Sequence, residues 1–146
     1  MKDWYVFIIF THVFRMVLSV GPLFVLFAVL RKMPGADIAT EKAFISIFRS
    51  VVRLIKHAGH VLVGSGILLV YLGSWPWHTS WIVLTIGLMV LSIFFLASAF
   101  KGTLKKFDDL DADRHLLIKK LHRSTWTYVI LLVLMLALMV MKPTLW

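Results

Sequence analysis

Long apolar segments separated by short polar ones make up almost the whole chain. Four of these segments have the length of a membrane-spanning helix, at about residues 4–30, 57–77, 81–100 and 124–142. They lack the two-residue alternation of barrel strands, and only helices or closed barrels satisfy backbone hydrogen bonds in lipid. The first span is longer than a signal-peptide core and carries no small-residue cleavage site. The pattern predicts an all-α polytopic membrane protein, with four transmembrane helices in an antiparallel bundle that forms one domain over residues 1–146.

Two of the polar connections carry helical patterns of their own. Apolar residues recur at helical spacing through residues 43–55, after the capping residues at 37–40. Acidic residues at 108–113 precede a stretch of basic and apolar residues that ends at Arg123, an order that suits the helix dipole. We therefore expect the second helix to begin about four turns before the membrane. The fourth helix should likewise start in the connection before its span.

The charges give the spans a direction. Thirteen of the sixteen Lys and Arg residues lie in two connections, six in residues 31–56 and seven in residues 101–123, whereas the hairpin at residues 73–80 has none. By the positive-inside rule, the basic connections and the helical extensions within them are expected in the cytoplasm, and the hairpin and both termini outside. Five tryptophans fall at that outer level, as in an aromatic belt: Trp4, Trp75, Trp77, Trp81 and Trp146.

Composition narrows the functional classes further. The chain is 60% hydrophobic and 16% charged, which suits a bilayer and not a soluble domain. Its net charge of +9 is explained by the basic connections, so nucleic acid is not expected as a partner. The absence of cysteine removes disulfides, thiolate metal ligands and iron–sulfur clusters. Carboxylate pairs, phosphate loops and zinc-hydrolase spacings are also missing, so redox chemistry or transport would have to come from a cofactor.

Arg15 is the one charged side chain deep within a span. The helical rise places it about 15 Å below the predicted outer surface, near the middle of the bilayer. A guanidinium at that depth is costly, and the four spans contain no Asp or Glu to pair with it. Its partner is then water, backbone carbonyls, or an anionic group supplied by a ligand or another subunit. The alternative is that its long side chain reaches the outer surface.

Histidines supply the other candidate chemistry. His12 lies in the first span, and His57 and His60 lie at the start of the second, where Gly64 leaves room for a flat ring. His122 enters the fourth span at the same inner level as His57 and His60. His12 and His60 are the candidate iron ligands, although they differ in depth by about 10 Å, so a direct pair would need a tilted helix. Hydrogen-bonded structural histidines and close packing at the glycines are the alternatives.

The order of these features resembles the small HemJ-type membrane proteins. The shared layout comprises an early helix with His12, a basic connection and a glycine-rich second helix. It continues with a third helix that opens at Trp81 and closes on KGTLKKF at residues 101–107, and a short fourth helix that ends VMKP at residues 140–143. HemJ-type proteins belong with a wider set of four-helix bacterial membrane proteins that includes CopD-like copper-resistance domains. The resemblance covers nearly the whole chain in layout, and its specific motifs are short.

This resemblance implies haem b binding, with His12 at the position of the early family histidine. It also implies a multi-pass location in the bacterial plasma (inner) membrane and, if the chain is an enzyme, an oxidoreductase of the protoporphyrinogen oxidase type. One position departs from the pattern, because HemJ-type proteins have a lysine one turn after the tryptophan, where this chain has Thr85. No in-span lysine replaces it, so the enzymatic activity stays open.

The leading hypothesis is therefore a haem b-binding membrane protein that acts in electron transfer, haem handling or tetrapyrrole oxidation. In it His12 or the His57 and His60 group ligates iron, and Arg15 meets a propionate. The second hypothesis is an accessory or assembly subunit of a larger membrane complex, with Arg15 facing a partner's carboxylate. The third is a small copper-like metal transporter, which would work as a homodimer or larger oligomer.

Overall fold

The computed structural model describes residues 2–146 and consists of four long helices joined by short connections. The helices are α1 (Lys2–Lys32), α2 (Ile38–Leu72), α3 (Ser80–Lys106) and α4 (Arg114–Met141). Each of them is long and apolar enough to cross a membrane. The prediction of an all-α protein with four membrane-length helices is confirmed.

Both extended helices begin where the capping residues predicted. Asp37 precedes α2 with an extended backbone, and α2 starts at Ile38, well before its predicted span. Asp113 precedes α4, and its carboxylate accepts a hydrogen bond of 3.3 Å from the backbone N–H of Leu116. An acceptor at this position satisfies one of the N–H groups that the first helical turn leaves unpaired.

Two helix ends differ from the sequence-based boundaries. Helix α2 ends at Leu72 and not near Trp77, because the chain folds back tightly at Gly73: a Cβ at Gly73 would lie 2.7 Å from the Trp75 ring. Helix α3 continues beyond Phe100 to Lys106. Thr103 is buried on this extra length and anchors it to the bundle.

The tightly packed core lies in the half of the bundle that contains the basic connections. Large side chains such as Leu26, Phe48 and Leu121 are fully enclosed there. In the opposite half of α1, by contrast, no residue from 2 to 18 is buried. The buried apolar residues that contact one another are Leu23, Leu26, Val29, Leu30, Met33, Ile45, Phe48, Ile55, Leu96, Phe100, Leu104, Phe107, Leu117, Leu121, Tyr128, Leu132 and Met135.

Two arginines fasten the end of α3 to its neighbours. Arg49 of α2 donates to the Leu104 carbonyl at 3.1 Å and forms a 3.0 Å salt bridge with Asp108. Arg114 of α4 donates to the Phe107 carbonyl at 2.8 Å and forms a 3.0 Å salt bridge with Glu41 of α2. Carbonyls at a helix C-terminus carry partial negative charge, so guanidinium donors are favourable there.

The last five residues fold against the hairpin at the other end of the bundle. The Ser80 hydroxyl donates to the Pro143 carbonyl at 2.8 Å and accepts from the Leu145 N–H at 2.9 Å. Lys142 takes a left-handed conformation with φ 45°, and its N–H donates to the Leu138 carbonyl in the last turn of α4. The Lys142 side chain lies over Trp75 of the hairpin and Trp81 at the start of α3.

Candidate functional site

A cavity of about 920 Å³ runs along the bundle between α2 and α3. It exists because α2 packs mainly on α1 and α3 packs mainly on α4, so that α2 and α3 make few contacts with each other. Its walls are mostly aliphatic and aromatic side chains from all four helices. Its size and apolar lining are those of a site for a small molecule or cofactor.

His12 lies in the wall of this cavity and is held by a hydrogen bond from α1 to α2. Its Nδ1 is 2.9 Å from the Ser65 hydroxyl oxygen, and that hydroxyl donates to the Leu62 carbonyl at 3.0 Å. With the single Ser65 hydrogen directed at the Leu62 carbonyl, we assign the Ser65 oxygen as the acceptor and the proton to His12 Nδ1. In a neutral imidazole, Nε2 then keeps its lone pair for a ligand.

Gly66 allows the His12 ring to lie directly against the backbone of α2. A Cβ at this position would be 3.2 Å from Cε1 of His12 and 3.7 Å from Nδ1. Gly64, which the sequence suggested as the residue that makes room for a ring, is exposed and is not part of the cavity wall. A Cβ on Gly64 would meet nothing within 4 Å. The space beside the glycine run is therefore occupied by the His12 ring itself.

The other predicted histidines are not brought together with His12. His60 lines the cavity, but it precedes Gly66 by six residues, which is about 9 Å along the helix. His57 and His122 are exposed and lie outside the cavity wall, and His122 has its ring edge toward Phe27. Within residues 2–146 there is no group of three or more His, Asp or Glu side chains that could hold a metal ion.

Arg15 is half-buried on α1 and does not contribute to the cavity wall. The salt bridges among residues 2–146 are those of Arg49 and Arg114, so Arg15 has no carboxylate partner in the described chain. Its backbone carbonyl accepts a 3.0 Å hydrogen bond from the Ser19 hydroxyl one turn later. The sequence-based hypothesis that Arg15 and His12 meet the same ligand gains no support from this placement.

The two ends of the cavity carry different groups. At the tryptophan end, Lys142 Nζ lies 4.7 Å from the ring centroid of Trp75 and 5.7 Å from that of Trp81. The opposite end is lined by the charged residues Arg49, Arg53, Lys56, Lys101, Lys105 and Asp108. Sequence reasoning identified neither end as part of a site, because the basic residues had been explained by orientation alone.

His12 lies closer to the tryptophan end than to the basic end. Along α1, it is seven residues from Tyr5, which is about 10 Å. Along α2, its neighbour Gly66 is ten residues from Lys56, the nearest cation of the basic end, which is about 15 Å. Lys142 is therefore the cation at the nearer end, and the basic end forms a separate region of the same cavity.

Comparisons with protein-family models, with curated proteins and with solved structures gave no match for this chain. The similarity to HemJ-type proteins therefore rests on the residues quoted from the sequence.

Proposed function

We propose that the protein binds haem b in the cavity between α2 and α3, where Nε2 of His12 would hold the iron. The observation that carries this proposal is the hydrogen bond between His12 Nδ1 and Ser65. Histidines that ligate metals characteristically donate their other ring N–H to a neighbouring acceptor, which fixes the tautomer and the ring orientation. Ser65 is buried and serves as that acceptor.

The cavity also fits the rest of a porphyrin. Its long apolar walls suit the macrocycle, and Lys142 at the nearer end supplies a cation for acidic substituents. Met89 and Met139 line the same walls, and the thioether of either could also hold haem iron. His60 lies at another level, so the proposal uses one histidine and not the His12–His60 pair. Lys142 takes the role that the sequence gave to Arg15.

Bound haem would supply one-electron redox chemistry. The residues around it favour electron transfer or haem handling over tetrapyrrole oxidation, since proton abstraction needs a base close to the substrate. Among residues 2–146, Asp108 is the one carboxylate in the cavity wall, and it is paired with Arg49 at the far end. His12, the histidine nearest the proposed haem, would be occupied by iron.

An absorption spectrum of the purified protein tests the proposal. The full chain is expressed with adequate haem supply, purified in detergent, and measured oxidised and reduced. We expect a Soret band that is lost or strongly weakened in His12→Ala and retained in His122→Ala, a matched change outside the cavity. No Soret band in the wild type, even after haemin titration, would overturn the proposal.

The orientation and the membrane are part of the same proposal. We infer that the basic connections, with the helical extensions of α2 and α4, are cytoplasmic in a bacterial inner membrane. The support is the strong asymmetry of Lys and Arg between the two ends of the bundle.

One observation favours an accessory subunit as the second candidate function. Arg15 is half-buried without a carboxylate partner in residues 2–146, and a guanidinium within a membrane span is stabilised by such a partner. A carboxylate in the span of a partner subunit would supply it. Under this alternative, Arg15→Gln releases the protein from its native complex in mild detergent while its own helices remain folded. The transporter hypothesis has no single observation of this kind to favour it.

A further inference from the structure

The basic end of the cavity has four cations without a counter-charge. Arg53 and Lys56 come from α2, and Lys101 and Lys105 come from α3, which faces α2 across the cavity. Asp108 is the acid at this end, and it is engaged with Arg49 at 3.0 Å. The two salt bridges found within residues 2–146 include none of the four. Two helices thus direct four positive charges to one opening.

A π-helical turn in α3 accounts for the two lysines on this face. The turn covers Leu96–Phe100 and inserts one extra residue into the helix. Before it, the cavity face of α3 includes Ile82, Met89 and Leu96, at intervals of seven residues. A continued α-helical period would next bring Thr103 to the cavity.

After the turn, the residues that line the cavity lie one or two positions later in the sequence than this period predicts. Lys101, Leu104 and Lys105 face the cavity, whereas Phe100 and Thr103 are buried in the core away from it. Single π turns in helices often occur at functional sites. Here the turn exchanges an apolar face for a cationic one at the point where the cavity opens.

We propose that this end of the cavity binds the phosphate of an anionic phospholipid, whose acyl chains lie in the apolar slot between α2 and α3. The phosphate is opposite in charge to the four cations, and the slot next to them is aliphatic, with Val63 and Ile93 in its walls. A free phosphate ion would use only the cations. A phospholipid uses both parts of the cavity, and the sparse contact between α2 and α3 leaves a lateral path from the bilayer.

The phosphate end of this lipid site is separate from His12, the proposed haem ligand. The nearest of the four cations, Lys56, precedes Gly66 by ten residues, about 15 Å along α2, and the lipid proposal does not depend on haem binding. Substitutions of the four cations therefore test lipid binding without changing His12.

Native mass spectrometry of the full chain in a non-ionic detergent tests the proposal. The protein is titrated with phosphatidylglycerol, with phosphatidylcholine of the same acyl chains, and with inorganic phosphate alone. The test variant is Lys101→Gln with Lys105→Gln. The matched control is Lys119→Gln with Lys120→Gln, which removes the same charge from exposed positions of the same connection, outside the cavity wall.

We expect the wild type and the control to bind phosphatidylglycerol in preference to phosphatidylcholine. The test variant should bind it about thirtyfold more weakly, since each of its two lysines contributes about a fivefold gain in affinity for an anionic lipid. A second variant, Arg53→Gln with Lys56→Gln on α2, should lose the same affinity for phosphatidylglycerol. It tests the proposal independently if circular dichroism shows that the α3 variant is misfolded. Equal weakening in the control, equal binding of the two lipids, or equally tight binding of inorganic phosphate would overturn the proposal.

Discussion

Replacement of Gly66 by alanine places a methyl group against the His12 ring. The added Cβ would lie 3.2 Å from Cε1 of His12, whereas carbon atoms in contact prefer about 3.5–4.0 Å. The ring must therefore retreat, and its 2.9 Å hydrogen bond to Ser65 lengthens or tilts. Gly64→Ala is the matched control, since it makes the same change two residues earlier on α2, where the methyl group meets nothing within 4 Å.

The comparison of the two variants isolates the contact with His12. Both gain the same helix propensity, about 1 kcal/mol for glycine to alanine, and this gain cancels in the difference. A side-chain hydrogen bond between membrane helices contributes about 0.6 kcal/mol on average and up to about 1.7 kcal/mol. We expect the free energy of unfolding of Gly66→Ala to be about 1 kcal/mol below that of Gly64→Ala. The same loss of His12 positioning would weaken haemin binding about fivefold.

Unfolding in mixed detergent micelles, induced by increasing SDS and followed by circular dichroism, measures the first quantity. Haemin titration of the same preparations measures the second. If the two alanine variants were equally stable and bound haemin equally well, His12 would not pack on α2 at Gly66, and the proposed orientation of its Nε2 would be wrong.

Three further predictions follow from the same contacts. Ser65→Ala should lower the free energy of unfolding by about 1 kcal/mol in the SDS assay, because the His12 ring N–H loses its acceptor, and Ser65→Thr should retain most of that stability. Arg114→Met should lower the free energy of unfolding by about 1–3 kcal/mol, since its salt bridge with Glu41 is largely enclosed. Arg49→Met should lower it by less than about 1 kcal/mol, because its salt bridge with Asp108 is exposed. Equal losses would contradict this ranking. The chain has no cysteine, so a single introduced cysteine reports its own accessibility. In intact cells, an impermeant thiol reagent should label Ser74→Cys and not Asp109→Cys. The opposite labelling would show that the proposed orientation is wrong.

The helices could be predicted from the sequence because their causes are local. Apolar length is sufficient for a membrane span. Asp37 and Asp113 stand at the N-cap positions of α2 and α4, and the side chain of Asp113 makes the capping hydrogen bond. The ends at Leu72 and Lys106 depend on other contacts, namely the close approach of Trp75 to Gly73 and the burial of Thr103. Such contacts belong to the folded bundle, so a hydropathy pattern does not contain them.

The site was predicted only in part, for the same physical reason. His12 was identified because an ionisable group inside a span is unusual. Its partner Ser65 and its neighbour Gly66 are fifty-three and fifty-four residues away, and the glycine run at residues 64–66 indicated the region but not which glycine faces His12. The π turn in α3 has no signature in the sequence LASAF. Without it, the helical period would have placed Lys101 and Lys105 away from the cavity.

The most direct test of the account is chemical rescue of His12. The spectrum of reduced His12→Gly is recorded with haemin, before and after addition of imidazole, beside the wild type and His60→Gly. The account predicts that His12→Gly loses the wild-type Soret and visible bands and that imidazole restores them, while His60→Gly retains them unaided. A wild-type spectrum in His12→Gly without imidazole would contradict the assignment of His12 as the iron ligand.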